Sequence, residues 1–548
     1  MCGILVWLGR NSVLSDAALH TLKARGPEGT RVKHLPNGLG GLGFTRLAIN
    51  GLNDAGMQPM EHNEFSWVAN GEIYNWRELN KAEDLGAKSG SDCEVIGRLL
   101  AKYGISRIGD VFRALDGVFA VCVVDIFNRV AIVARDPYGV RPLFKGYGED
   151  GAVYFGSEMK SLVETCKEII AVQPGTYELY SLDNTDIIVR NDPVRIERYH
   201  HNSLLKMPVF EEQELAFKAV RTALEAAVKK RMMTERPVAA LLSGGIDSSL
   251  IASLVSRELR AAGAPPLKTF SIGMPGSSDL AYAKKVAAWI GSDHHEIMMD
   301  ADQFWFAIPE VIHDIESFDT TTVRASVGNW LVAREVVRRS DCKVVFNGDG
   351  SDEVFGSYLY FYKAPSDAAY EEEVVRLLKD IHYFDVLRSD RSISSHGLEP
   401  RTPFLDKTFV QTVLSIPLHL RRPTGIMPEK WLLRKAFDDG ITLPHEVLWR
   451  RKEAFSDGVS GKEKAWYEIA QERAAELFTT ETLGTEKPEM ALYRKIFEDM
   501  YSGHNTAAVP YFWMPKWCEG TTDPSARALT FYAGLNPRAS GAGSQVEV

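Results

Sequence analysis

Cysteine is scarce in this chain of 548 residues: six thiols, at positions 2, 93, 122, 166, 342 and 518, none in a Cys-x-x-Cys pair. That scatter offers neither a zinc motif nor a disulfide framework, and the first residues lack the basic region and apolar core of a signal peptide, so a reduced, cytoplasmic setting is expected. Long apolar runs are missing as well. The longest clean one, Val118 to Val124, is far short of the roughly 18 residues that a membrane span requires, and no membrane partner is expected. Positive charge is not in excess: 63 Lys and Arg stand against 73 Asp and Glu, a net charge of −10. An electrostatic footprint for nucleic acid is therefore not expected. Glycine (44) and proline (25) are near average usage and no repeat of 20 to 50 residues is visible, which excludes collagen-like, low-complexity and solenoid architectures. The length suits two to four globular domains.

What is present changes texture near residue 200. Before it, short β-rich runs dominate (Gly3 to Leu8, Phe65 to Ala69, Val118 to Asp125, Ala131 to Ala134, Ala152 to Gly156), punctuated by the turn pairs Asn37-Gly38, Asn50-Gly51, Asn70-Gly71 and Asp116-Gly117. Mostly antiparallel sheets with a few helices are predicted. After Tyr199-His200-His201 a long helix is predicted from Glu211 to Met233, with Val220, Leu224, Ala227 and Val228 on one face. Strand, small-residue turn and helix then alternate: Val238 to Leu242 before Ser243 to Ser249, Thr269 to Ile272 before a Gly- and Pro-bearing turn, and Lys343 to Phe346 before Asn347-Gly348-Asp349-Gly350. Such alternation predicts a doubly wound parallel sheet with its ligand beyond the strand C-termini.

Ser243-Gly244-Gly245-Ile246-Asp247-Ser248-Ser249 joins a strand to a helix N-terminus, where free N–H groups and the helix dipole favour an anion. A serine-rich turn that merely caps a helix is the plain alternative. Six specified positions in seven arise by chance with a probability on the order of 10⁻⁴ at average Ser and Gly usage. The loop lacks the Gly-Lys-Ser/Thr ending that serves γ-phosphate transfer, and Asp247 suits Mg²⁺ better than phosphate. Asn347 to Glu353 carries three acids within five positions at the end of another strand. In a parallel sheet both strand ends face one crevice, so Asp247 and Asp352 are candidates to share a metal ion.

At the other end, Cys2 becomes terminal if Met1 is removed, and would then carry a nucleophilic thiol and a basic α-amine on one residue. Met-Cys-Gly-Ile, Arg25-Gly26-Pro27, Gly43 to Ile49, Asn70 to Asn75 and Ser91-Asp92-Cys93-Glu94 follow in the order found in class II glutamine amidotransferases. The Ser243 loop resembles that of the ATP pyrophosphatases, which cleave ATP between the α and β phosphates. Together the two halves resemble the glutamine-hydrolysing asparagine synthetases over nearly the whole chain. Shared stretches include Asp319 to Ser326, Phe355 to Phe361, Pro403 to Asp406 and Lys452 to Gly458, and Tyr511 to Trp517 with Asp523 to Arg527 looks like the eukaryotic-type branch.

The resemblance implies an α+β N-terminal-nucleophile fold (an αββα sandwich) over residues 2–200, an α/β doubly wound parallel-sheet domain of the ATP pyrophosphatase type over 205–535, and a disordered tail over 536–548. It implies a ligase that converts ATP, aspartate, glutamine and water to AMP, diphosphate, asparagine and glutamate through β-aspartyl-AMP and tunnelled ammonia, with Mg²⁺, as a homodimer. In the family's terms Cys2 is the nucleophile, and Asn70 and Gly71 form the oxyanion hole. Arg46, Leu47, Ile49, Glu72 and Asp92 join them in holding glutamine. ATP falls to Leu241, Ser243, Gly244, Gly245, Asp247, Ser248, Ser249, Ile272, Asn347 and Gly348, metal to Asp247 and Asp352, and the aspartyl intermediate to Thr321, Arg324 and Lys452. Taken alone, Asn70-Gly71 is a hairpin turn, and Arg324 and Lys452 are surface charges. The chain departs from the family at Asp349, where the usual residue is Glu in the role of base toward incoming ammonium, and at Pro400. A related amidotransferase or cyclase that adenylates a different carboxylate, or an ammonia-dependent synthetase if Met1 is retained, are the alternatives.

Overall fold

The structure is a computed structural model that describes residues 1–9, 15–182, 191–453, 458–461, 464–478, 486–504, 508–526 and 529. The tail 536–548, Arg527 and part of the Lys452 to Gly458 motif lie outside these residues.

Two six-stranded antiparallel sheets make the first half. One has the order β10 (Cys166–Ala171), β8 (Phe144–Gly148), β9 (Val153–Gly156), β1 (Gly3–Leu8), β3 (Gly40–Arg46), β2 (Gly29–His34). The other has the order β12 (Arg195–Arg198), β11 (Thr176–Ser181), β7 (Val130–Arg135), β6 (Gly117–Asp125), β5 (Phe65–Ile73), β4 (Met60–His62). Alternation along the strands sends Ile4, Val6 and Leu8 of β1 and Val68, Ala120, Cys122 and Val124 of β5 and β6 into one cluster between the sheets. The opposite face of β5, with Trp67 and Ala69, packs on the helices Glu94–Tyr103 and Ile108–Ala114. The opposite face of β1, with Leu5 and Trp7, lies in a buried cluster with Ala18, Leu19 and Leu22, which extends to Ile308, Val311, Val323 and Val327 of the second half. Asn37-Gly38 does form a turn, with left-handed φ of 58° and 68°. Asn70-Gly71 does not: both lie inside β5, opposite Ala120 and Phe119, because the apolar alternation of Phe65–Ile73 continues through them.

The second half is built on a parallel five-stranded sheet of order β15 (Asp293–Met298), β14 (Lys268–Gly273), β13 (Val238–Leu241), β16 (Val344–Phe346), β17 (Glu399–Arg401). Alternate residues reach opposite layers: Val238, Ala240, Val344 and Phe346 join the helices Gln213–Lys230 and Ile246–Ala261, while Ala239 and Val345 join Thr320–Arg339. Chain order reverses between β13 and β16, which places the topological switch point at their C-terminal ends. Pro400 sits on β17, an edge strand where a missing N–H is tolerated.

The halves are joined by buried charge. Arg25, fully buried, pairs with Glu158 at 2.7 Å and with Asp390 at 2.8 Å, and its Nε donates to the Cys2 carbonyl at 3.2 Å. Without Arg25, Glu158 keeps Lys160 at 3.1 Å and Asp390 keeps Arg141 at 3.3 Å, so two buried carboxylates each lose their shorter cation. Arg25→Ala is expected to lower stability by about 3–5 kcal/mol, read as a shifted thermal or denaturant midpoint; an unchanged midpoint would show that the network contributes nothing.

Candidate functional sites at a sandwich edge and a switch point

The first site gathers where β1 starts, β3 ends and β5 ends. The Cys2 thiol donates to the Leu47 carbonyl at 3.6 Å. Burial pushes its pKa up against that hydrogen bond, so no thiolate is preformed. Arg46 reaches across the turn below, donating from Nη1 to Asn53 O at 2.8 Å and from Nη2 to Gly51 O. Asp92 accepts from the Ile73 N–H at 2.6 Å, and Glu72 accepts from Asn50 Nδ2 at 2.7 Å and pairs with Arg401 at 3.5 Å. Burial raises both carboxyls, Asp92 to about 6. Ile49 and Leu47 lie in a buried cluster that continues into the second half through Val140, Val238 and Phe346.

Asn70 is the telling residue here. It is fully buried, yet neither atom of its side-chain amide has a partner among the described residues, which costs about 1–3 kcal/mol per group unless a ligand supplies the missing bond. At Gly71 a Cβ would stand 2.2 Å from the Val118 carbonyl, so only glycine lets the β5 backbone take this course.

The second site is a cleft at the switch point. Ser243 and Gly245 to Ser248 line it from the end of β13, Ile272 from β14, and Asn347 to Gly350, Asp352 and Glu353 from the end of β16, while Gly244 and Ser249 are not part of the lining. The helix Ile246–Ala261 starts at Gly245 with no side-chain cap, leaving its first N–H groups for an anion. The Ser243 and Ser248 hydroxyls lie 2.9 Å apart. The two loops touch: a Cβ on Gly348 would stand 2.7 Å from the Ser248 nitrogen.

Asp247 and Asp352 are brought together by Lys430, whose Nζ lies 2.5 Å from Asp247 Oδ2 and 2.7 Å from Asp352 Oδ1. Lys452 Nζ pairs with Asp352 Oδ2 at 2.6 Å. Burial alone would raise the Asp352 carboxyl, but Lys430 and Lys452 outweigh it and hold it well below the usual carboxylate range. Among the described residues no group of three or more His, Cys, Asp or Glu forms a metal cage. Two hard oxygen donors beside a phosphate loop nevertheless fit Mg²⁺, which takes few protein ligands and completes its shell from phosphates and water.

Asp349 accepts from Arg388 Nη2 at 2.8 Å, and the same nitrogen bonds Asp385 at 2.9 Å. Tyr358 OH donates to Glu353 at 2.5 Å and lies 3.0 Å from Asp385. Thr321 lines the cleft with a hydroxyl that has no partner among the described residues. Arg324 is not brought to this lining: it is 4% exposed and its guanidinium binds Glu489 and Asp523, with four contacts between 2.5 and 2.9 Å. Two buried carboxylates hold it there. Lys430, Arg388 and Asp385 are site residues that no motif announces. Lys430 sits in a left-handed turn, φ 59°, and only the folded chain brings it beside two acids remote in sequence.

A family profile described as "Asparagine synthase" matches residues 219–373 and 363–525, and one described as "Glutamine amidotransferase domain" matches 1–188. "Asparagine synthetase [glutamine-hydrolyzing]" of Gallus gallus is 40% identical over 97% of this chain and 99% of its own length. The protein of the same description from Homo sapiens is 40% identical over 97% and 99%. Among solved structures, a glutamine phosphoribosylpyrophosphate amidotransferase from B. subtilis aligns with 55% of this chain and 91% of its own at TM-score 0.33 and 17% identity.

Proposed function

The chain belongs to the glutamine-hydrolysing asparagine synthetases, and from that membership we propose how its two sites divide the work. ATP, aspartate, glutamine and water are converted to AMP, diphosphate, asparagine and glutamate. The observation that carries the proposal is the convergence, at one switch point, of an uncapped helix N-terminus, two lysine-bridged aspartates and Asp349.

In the first site, Cys2 attacks the glutamine amide while the Asn70 amide and the Gly71 N–H receive the oxyanion. The α-amine that Cys2 gains on loss of Met1 takes the thiol proton. Arg46 faces the substrate α-carboxylate, and Asp92 with Glu72 its ammonium. Ammonia crosses the buried layer between the halves.

In the second site, Leu241, Ile272, Asn347 and Gly348 hold the nucleoside, and the Ser243–Ser249 loop holds the β and γ phosphates. Mg²⁺, held by Asp247 and Asp352, would neutralise charge on the departing diphosphate. Lys452 sets positive charge beside the α-phosphate as aspartate attacks it. Asp349 takes a proton as ammonia displaces AMP. A homodimer in the cytoplasm completes the proposal, its oligomeric state testable by light scattering.

One assay with aspartate, glutamine, ATP and Mg²⁺ tests the reading, with asparagine and AMP expected together. ADP in place of AMP would sink the adenylation chemistry, and product without aspartate would favour a cyclase-like acceptor.

The Asp92 carboxyl, raised by burial to about 6, gives this site a pH signature. Its ionised form is the one that meets an ammonium, so kcat/KM for glutamine is expected to fall with acid below about pH 6, since that ratio reports the free enzyme. Stability moves the other way. The folded state binds this proton more tightly than the unfolded chain, with its ordinary value near 4, so this carboxyl adds stability as pH falls from about 6 to 4. A flat acid limb down to pH 5 would exclude Asp92 from substrate binding.

A further inference from the structure

The run from Tyr511 to Trp517, with Asp523, has no part in either site as described so far, yet it is fastened to the second half at several points. Tyr511 OH donates to Asp380 at 2.6 Å and accepts from Arg376 at 2.6 Å. Lys516 pairs with Glu373 at 2.6 Å, and Asp523 accepts from both Arg324 and Gln471. Between these anchors Trp513 enters the cleft lining and is only 8% exposed. Its N–H donates to Asp319 Oδ2 at 2.9 Å, while Asp319 Oδ1 caps the helix carrying Thr321. Its ring lies 5.5 Å from that of Tyr358 and 5.9 Å from that of Tyr360.

The neighbourhood matters. From Tyr358 a hydrogen-bonded chain runs through Asp385 and Arg388 to Asp349. On the functional reading above, on which this inference rests, Asp349 faces the carbonyl carbon that ammonia attacks. The amino-acid acceptor therefore lies beside Tyr358 and Trp513, while the nucleoside lies at the ends of β13 and β14. We propose that Trp513 is a specificity-determining residue: its indole is the wall that limits the acceptor to the length of an aspartate side chain. A ring pinned by its own backbone and by two neighbouring tyrosines cannot retreat to admit another methylene, and a rigid pocket discriminates one methylene by roughly 10–200-fold.

The test uses the full chain with ATP and Mg²⁺, ammonia as nitrogen donor, and either aspartate or glutamate as acceptor, reading AMP and the amide product. Trp513→Ala is expected to raise KM for aspartate about tenfold and to lower the aspartate-to-glutamate ratio of kcat/KM at least ~10-fold. KM for ATP and glutamine hydrolysis should stay at wild-type values. Trp513→Leu, which refills most of the volume, is measured beside it and should shift the ratio in the same direction, so the result does not hinge on how the alanine variant folds. An unchanged ratio in both variants overturns the proposal. So does an equal loss toward both acids, the mark of a purely structural role. If the wild-type chain makes no asparagine from aspartate and ammonia, it is the functional reading that fails, and that is seen before any variant is made.

Discussion

Cys2→Ala is expected to abolish glutamine hydrolysis and glutamine-dependent asparagine formation while leaving ammonia-dependent synthesis near wild type. Removal of the nucleophile from an acyl-transfer site costs on the order of 10⁶-fold, which here means no detectable glutamate. The selectivity follows from the layout. Cys2 precedes β1 and touches Leu47 at the end of β3, whereas the switch-point cleft is lined, among the described residues, by residues from Leu241 onward. The substitution trims a single sulfur, leaving in place the carbonyl that Arg25 holds.

The chain's terminus offers a second test of the same site. Burial raises the Cys2 pKa, so the thiol needs a base, and burial lowers the amine of Met1 to about 6 in this same enclosed corner. A lowered amine is a group that is neutral, and hence basic, at pH 7. With Met1 in place that amine belongs to the wrong residue. Intact mass reports whether Met1 is gone, and protein that keeps it should use ammonia and not glutamine. Glutamine-dependent synthesis by Met1-bearing protein would remove the α-amine from the mechanism.

Much of this was legible in the chain because it is local. The loop after β13 and the acidic run after β16 each follow an apolar strand within a few residues, and the parallel-sheet rule brings them together without knowledge of any contact. Gln213–Lys230 shows its buried face at Val220, Leu224, Ala227 and Val228 by helical spacing alone. Local chemistry also misled: Asn70-Gly71 has the composition of a turn, but strand pairing overrides it, and the amide that the resemblance assigns to an oxyanion hole is left without partners among the described residues. Lys430, Arg388 and Trp513 were illegible for a different reason. Each acts through a long-range partner, such as Lys430 with Asp247 and Asp352, that no spacing encodes. Arg324 lies on the right helix, but its charge is spent on Glu489 and Asp523.

Asp349→Asn should separate the two chemistries inside the second half. Asparagine formation is expected to fall by about 10²–10⁴-fold, the contribution of one positioned base, with glutamine hydrolysis unchanged. Asparagine is isosteric with aspartate and can keep a hydrogen bond to Arg388, so the fold at the cleft should hold; what is lost is the ability to accept a proton from ammonia. Adenylation does not need that proton transfer, so aspartate-dependent diphosphate release in a single turnover should persist where asparagine does not appear. Geometry sharpens the expectation for the reverse change. Asp349 is drawn toward Arg388 at 2.8 Å, on a nitrogen shared with Asp385, and its side chain is one methylene shorter than glutamate. A displacement of ~1 Å in a positioned group can cost on the order of 10²-fold. If the short side chain is simply under-reaching, Asp349→Glu raises the rate of the ammonia step. If Arg388 has moved the site to suit aspartate, the longer acid lowers it. Retained synthesis in Asp349→Asn would remove this carboxylate from the mechanism altogether and leave Glu353, buried beneath Tyr358 with a carboxyl raised by burial and by Asp385, as the acid to examine next.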